Sequence, residues 1–265
     1  MKLQNKVIVV TGGGNGLGRE IVLQLLAKGS KVVAVDINEA ALRETKELAS
    51  KYQHNLTTSR TDITDRLAIE ELKERVFDKY KTINGIINNA GIIQPFKKLD
   101  ELDFDAIDRV MNINFFGMLN MTKIFLPCLL NAPEAHIVNV SSLGGFMPFA
   151  TQSIYGASKA AIKMLSEVLA LELSESNVAV TTIIPGAMYT SIKANSGLGK
   201  ESGAGPEGHA ANAALSPTEA ASTIIKAIEH NKQEVYIGKD SKSMKIMYKL
   251  LPETAKKMIY NKMKR

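Results

Sequence analysis

Short apolar, β-branched runs recur along most of this chain, separated by longer stretches of helical period. The runs fall at 6–10, 31–35, 56–60, 85–88, 136–140, 178–184 and 235–237. The helical stretches lie between them, at about 16–28, 39–51, 65–80, 104–130, 154–174 and 217–230. The runs are mostly continuous in apolar character rather than alternating, as expected of strands covered on both faces. Such alternation of strand and helix specifies parallel pairing with crossover helices. It predicts an α/β fold: a doubly wound, parallel sheet of about seven strands with helices on both faces.

Composition narrows the possibilities. There is no run of eighteen consecutive apolar residues, so no membrane span is expected. The few residues before the first apolar run leave no room for a secretory signal, and Cys128 is the sole cysteine. Both point to a reducing cytoplasm. The net charge of +6 invites a nucleic-acid or membrane reading, but its location matters more. Residues 239–265 hold nine basic and two acidic side chains, a balance of +7 that leaves the other 238 residues at −1. The body is near neutral, so no nucleic-acid partner is expected.

The first strand runs into Thr11-Gly12-Gly13-Gly14-Asn15-Gly16-Leu17-Gly18, and a helical stretch follows. In that context glycines let the backbone turn tightly and approach a pyrophosphate, whose charge meets the amides of the helix N-terminus. Gly12, Asn15, Gly16, Leu17 and Gly18 are therefore candidate cofactor contacts, and the domain at 1–238 reads as a single Rossmann-type unit. Asp36 ends the second strand, eighteen residues beyond Gly18. Its carboxylate can accept bonds from both ribose hydroxyls and would repel a 2′-phosphate. No Arg or Lys lies beside it or within the turn, so NAD(H) is expected over NADP(H). Asp62 and Ile63, after the third strand, are placed near the adenine, and Asp62 can also serve as the cap of the following helix.

Tyr155 and Lys159 are four residues apart at the start of a long helical stretch, which puts phenol and ammonium on one face. A nearby cation favours the phenolate and could bring a tyrosine into the range of a general acid/base. The pair alone is weak. It gains weight from the strand before it, which ends Val138-Asn139-Val140-Ser141-Ser142.

Taken in order, these segments resemble the short-chain dehydrogenase/reductase family over about residues 5–238. The landmarks are the Thr11–Gly18 turn, Asn88-Asn89-Ala90-Gly91, Asn114-x-x-Gly117, Ser142, Tyr155-x-x-x-Lys159 and Pro185-Gly186-x-x-x-Thr190. The resemblance implies that Tyr155 is the general acid/base, that Ser142 holds the substrate oxygen, and that Lys159 tunes Tyr155 and binds the nicotinamide ribose. It implies that Asn114 anchors a water relaying protons to solvent. Asn89, Ala90 and Gly91 would line the adenosine ribose, and Pro185, Gly186 and Thr190 would hold the nicotinamide carboxamide. The spacing to Tyr155 favours Ser142 over Ser141, and the Asn-x-x-Gly pattern favours Asn114 over Asn112. The implied reaction interconverts a secondary alcohol and a ketone. A catalytically idle dinucleotide sensor or scaffold is the alternative, as is a protein acting chiefly at a membrane surface through its tail.

Residues 193–216 are rich in Gly, Ala, Ser and Asn and read as a mobile substrate loop. With 92–96 and 143–151 they would form a pocket suited to a moderately hydrophobic alcohol or ketone. No metal-ligand spacing is present. In 239–265, apolar residues recur at helical spacing between lysines, and Pro252 should split the segment into two helices. This amphipathic tail either packs on the body or a partner subunit, or makes a peripheral membrane contact. A homodimer or homotetramer is expected from the resemblance, paired through the 104–130 and 154–174 helices.

Overall fold

The computed structural model describes residues 1–188, 192, 196–198 and 215–263. Most of the 193–216 loop, and Thr190 with it, lie outside the described residues. Seven strands form, at β1 (Val7–Thr11), β2 (Lys31–Asp36), β3 (Leu56–Arg60), β4 (Gly85–Asn88), β5 (Ala135–Val140), β6 (Val178–Pro185) and β7 (Glu234–Ile237). All pair in parallel in one sheet, ordered β3-β2-β1-β4-β5-β6-β7. The direction of winding reverses between β1 and β4. A doubly wound sheet opens a crevice at that point, beyond the carboxyl ends of its strands.

The described helices are α1 (Gly16–Ala27), α2 (Glu39–Leu48), α3 (Arg66–Tyr80), α4 (Phe104–Met111), α5 (Met118–Leu130), α6 (Ser153–Glu172), α7 (Pro217–Glu229), α8 (Lys239–Leu250) and α9 (Pro252–Met263). Alternate residues of β1 serve two cores. Ile8 and Val10 pack with Ile21 and Leu25 of α1 and Ile224 of α7, while Val7 and Val9 pack with Ile69 of α3, Phe125 of α5 and Leu169 of α6. Two-sided burial of this kind is why the central strands are so apolar, while the edge strand β3 carries Thr57, Thr58, Ser59 and Arg60.

Three local features differ from the expectation. The helix expected over 39–51 stops at Leu48, because Ser50 adopts φ 46° and the chain enters a tight turn over Ser50–Asn55. The cap of α3 is Asp65, not Asp62: its side chain accepts from the amides of Leu67 and Ala68, while Asp62 accepts from the amide and hydroxyl of Thr64. The single helix expected over 104–130 is interrupted by a wide π turn over Asn112–Gly117. By length and composition the whole stretch could cross a bilayer, yet Met121, Phe125 and Leu129 are fully buried in the core. It is a core helix of this fold.

Candidate active site

The glycine turn closes on itself without side chains. Gly12 and Gly16 have φ of 67° and 50°, a region open to glycine at little cost. A Cβ on Gly18 would stand 2.0 Å from the Gly12 carbonyl oxygen, so the α1 N-terminus can meet the turn only because it is bare. Asn15 caps α1 by accepting from the Gly16 amide. Asn89 donates to the Thr11 carbonyl at 3.1 Å, and the Thr11 hydroxyl accepts from the Asn89 and Ala90 amides, which locks the turn to the end of β4. Asp36 lies over the turn, one oxygen accepting from the Gly14 amide and the other from Asn38, each at 3.0 Å. These residues form an anion-accepting cradle bordered by a fixed carboxylate, which fits a dinucleotide.

Arg19, one residue past the turn, was not visible as part of this site. Its guanidinium folds back onto the Gly14 carbonyl and is held by both oxygens of Glu44. The Glu44 carboxylate offsets the Arg19 charge at the cradle's edge. Ile63 is buried, and its side chain lies where a Cβ on Gly117 would come within 2.7 Å. That contact joins the segment after β3 to the π turn.

The second half of the site is built from polar side chains, with Asn114, Ser158 and Lys159 buried and Ser142 and Tyr155 half-buried. Tyr155 and Lys159 lie a turn apart on α6, with the ammonium 5.9 Å from the phenol ring centre. Lys159 donates to the Val140 carbonyl at 2.9 Å. Ser142 follows β5 and lies with the Tyr155 ring against Gly144, whose amide donates to the Ser142 hydroxyl. Ser141 turns away and donates to the Lys159 carbonyl. Asn114 is fully buried, whereas Asn112 is exposed. The Asn114 amide exchanges two hydrogen bonds with the Ile92 backbone and donates to Ser158, whose hydroxyl donates to the Tyr155 carbonyl. A Cβ on Gly91 would stand 3.2 Å from the Asn114 oxygen and 3.3 Å from the Lys159 nitrogen, so both converge beneath that glycine.

Burial sets the protonation states of the pair. It pushes the Tyr155 phenol above its usual range, against the opposing influence of the Ser142 hydroxyl. It lowers Lys159 to about 8. With neither dinucleotide nor substrate, Tyr155 therefore holds its proton.

Sequence reading missed Gln94. Its side-chain oxygen accepts from the amides of Ile154 and Tyr155, at 2.7 and 2.9 Å, and its nitrogen donates to the Thr151 carbonyl. No motif marks it, since the contact spans sixty residues. The segment after β6 is likewise anchored from afar. Gly186 donates to the Ile237 carbonyl, Ala187 to the Asp240 carboxylate, and Ser241 to the Ile184 carbonyl. Pro185 ends β6 beside Ile237. Of the substrate loop, Ser196 is buried and accepts from the Ile93 amide. A cavity of about 600 Å³ lies elsewhere, lined by Thr64, Asp65, Arg66, Asn112, Phe116 and Asn120, and no catalytic candidate borders it. Among the described residues no cluster of His, Cys, Asp or Glu could hold a metal ion.

Residues 6–201 match the family model described as short chain dehydrogenase. The chain is 30% identical over 261 residues to the putative oxidoreductase SadH of Mycobacterium tuberculosis, covering 97% of this chain and 94% of that protein. A short-chain dehydrogenase/reductase of Burkholderia phymatum, solved with NAD, superposes with TM-score 0.80 at 25% identity, covering 89% of this chain and 90% of that one. A short chain dehydrogenase of Burkholderia cenocepacia, solved with NADP, superposes with TM-score 0.79 at 26% identity over 98% and 99% of the two chains. The parallel sheet, the glycine cradle and these likenesses agree: the chain belongs to the short-chain dehydrogenase/reductase family and is an oxidoreductase of that family.

Proposed function

We propose that this protein is an NAD(H)-dependent alcohol dehydrogenase or carbonyl reductase, with Tyr155 as proton donor and acceptor. The observation that carries the reading is the Ser142–Tyr155–Lys159 cluster, a half-buried phenol with the Ser142 hydroxyl and the Lys159 ammonium gathered beside it. When bound, NAD(H) supplies or accepts the hydride at the carbinol carbon. In reduction, Ser142 holds the carbonyl oxygen and Tyr155 gives it the phenolic proton. In oxidation, Tyr155 takes the hydroxyl proton, and the Lys159 charge favours the phenolate that does so.

The proton is replenished through the neighbourhood of Asn114. Its side chain is committed to Ile92 and Ser158, so the water it anchors would use the backbone carbonyl. The π turn supports this, because the Met118 amide donates to Phe115 rather than to Asn114. An intact relay has no purpose in an idle sensor, which places that alternative second. Asp36 supports NAD(H) over NADP(H), since a 2′-phosphate would meet its carboxylate, and Arg19 is already paired with Glu44; the exposed Arg60, opposite Asp36 on β3, is the cation that weighs the other way. Asp62 and Ile63 would border the adenine, and Pro185, Gly186 and Thr190 the carboxamide.

The segments expected to border the substrate carry Ile92, Ile93, Phe146 and Met147, which suits a moderately hydrophobic substrate. Met164, Val168 and Leu171 leave an apolar stripe exposed on α6, which supports a homo-oligomer, and a cytoplasmic enzyme suits a chain with one cysteine. The test is a panel of ketones and secondary alcohols, followed by absorbance of the reduced cofactor with NADH and with NADPH. Turnover with NADH on at least one class, faster than with NADPH, is expected. No turnover with either, or a preference for NADPH, would contradict the reading.

A further inference from the structure

We infer that α8 and its junction with α9 form a docking face for an anionic membrane surface. One side of the segment is fixed to the body. Asp240 and Ser241 bond the end of β6, Tyr248 meets Phe146 edge-on at 6.1 Å, and Ala255 and Ile259 are buried. The opposite side is open: Ile246, Leu250 and Leu251 are 61%, 69% and 58% exposed. Lys242, Lys249 and Lys257 are exposed around them, Lys256 is paired with Glu253, and Lys262, Lys264 and Arg265 extend the basic sequence.

An apolar centre rimmed by lysines is what an interfacial helix presents to anionic headgroups. Charge argues against a second copy as the occupant. A two-fold contact would set this face against itself and bring the two lysine clusters together. The exposed acidic run at Asp100, Glu101, Asp103, Asp105 and Asp108 could meet this face only in a head-to-tail contact between copies, which the light-scattering measurement below tests. Phe146 lies four residues past Ser142, so a docked face would hold the substrate opening near the lipid. That consequence, a lipophilic substrate drawn from the membrane, rests on the function proposed above, whereas the docking face does not.

The full chain should sediment with vesicles of phosphatidylcholine carrying about 30% phosphatidylglycerol, and not with phosphatidylcholine alone. About 0.5 M salt should release it. Ile246→Glu with Leu250→Glu should abolish binding, and Lys242→Glu with Lys249→Glu should weaken it at least ~10-fold. NADH binding by these variants should be unchanged, a readout that does not depend on turnover. Failure of the full chain to sediment, or equal binding by the variants, would overturn the proposal. So would a change of mass of the apolar variant in light scattering, which would make the face a subunit contact.

A separate set of contacts assigns Gln94 as a positioning residue for Tyr155. The first turn of α6 has amides with no partner inside the helix, and Gln152 offers no side-chain cap. Gln94, 1% exposed, supplies the acceptor for two of them, one being the Tyr155 amide itself. The segment that carries Gln94 also bonds Asn114 through Ile92 and Ser196 through Ile93. Acceptance by one oxygen thus sets the height of the phenol relative to the relay. Gln94→Leu should lower kcat ~10- to 100-fold with the Kd for NADH within about twofold. Gln94→Glu, which keeps the acceptor, should recover part of the loss. Unchanged kcat in Gln94→Leu, equal losses in both variants, or parallel loss of NADH affinity would overturn the assignment.

Discussion

The two halves of the site are made of opposite materials. The cradle after β1 works because side chains are absent: Gly12 and Gly18 let backbone meet backbone, and recognition falls to amides and one carboxylate. The cluster after β5 works because polar side chains are present, with Asn114 and Lys159 buried and tied to partners distant in the chain. The first is a local device, held by a few consecutive residues and by Asn89. The second is a tertiary device, needing β4, β5, the π turn and α6 at once. Substitutions should therefore fail differently in the two halves. Cradle variants should lose cofactor binding, and cluster variants should lose turnover with binding kept.

Lys159→Met gives the largest of the contrasting effects. Loss of the ammonium beside Tyr155 should lower kcat about 10²- to 10⁴-fold, and steady-state kinetics would show it. Comparable kcat would detach the lysine from the proton chemistry. Gly18→Ala attacks the cradle. The added methyl collides with the Gly12 carbonyl, so NADH affinity should fall ~10- to 100-fold by fluorescence titration. Affinity within twofold of the parent would mean the cradle is not the cofactor's seat.

Protonation offers a milder probe. Burial brings Lys159 to about 8, so it is cationic below that pH and neutral above. With limiting NADH, kcat/KM reports the free enzyme, and it should fall up to ~10-fold per pH unit above that point. A flat profile to pH ~10, the ordinary range of lysine, would show the ammonium is not so destabilised. Asp36→Ala should be the gentlest, moving the NADH/NADPH ratio of kcat/KM about tenfold toward NADPH. An unmoved ratio would shift cofactor choice elsewhere.

The same contrast explains what could be read from sequence. Strand runs, the glycine turn, Asp36 and the α6 pair are legible because apolar runs and short spacings encode them directly. The π turn over Asn112–Gly117 is not, since the helical pattern continues through it. Nor are Gln94, Ser158, the Val140 carbonyl or the Arg19–Glu44 pair, each of which acts through a contact distant in sequence. Asp62 could be mistaken for the α3 cap because Asp65, three residues on, carries the same side chain in the same kind of turn.

The most direct test of the central claim is Tyr155→Phe, assayed for NADH binding and for ketone reduction in one preparation. Phenylalanine keeps the ring and removes only the hydroxyl to which the proton chemistry is assigned. NADH affinity within about twofold of the parent, with kcat reduced at least ~10³-fold, is the expected result. Near-normal turnover in the phenylalanine variant would contradict a mechanism in which the Tyr155 hydroxyl carries the proton.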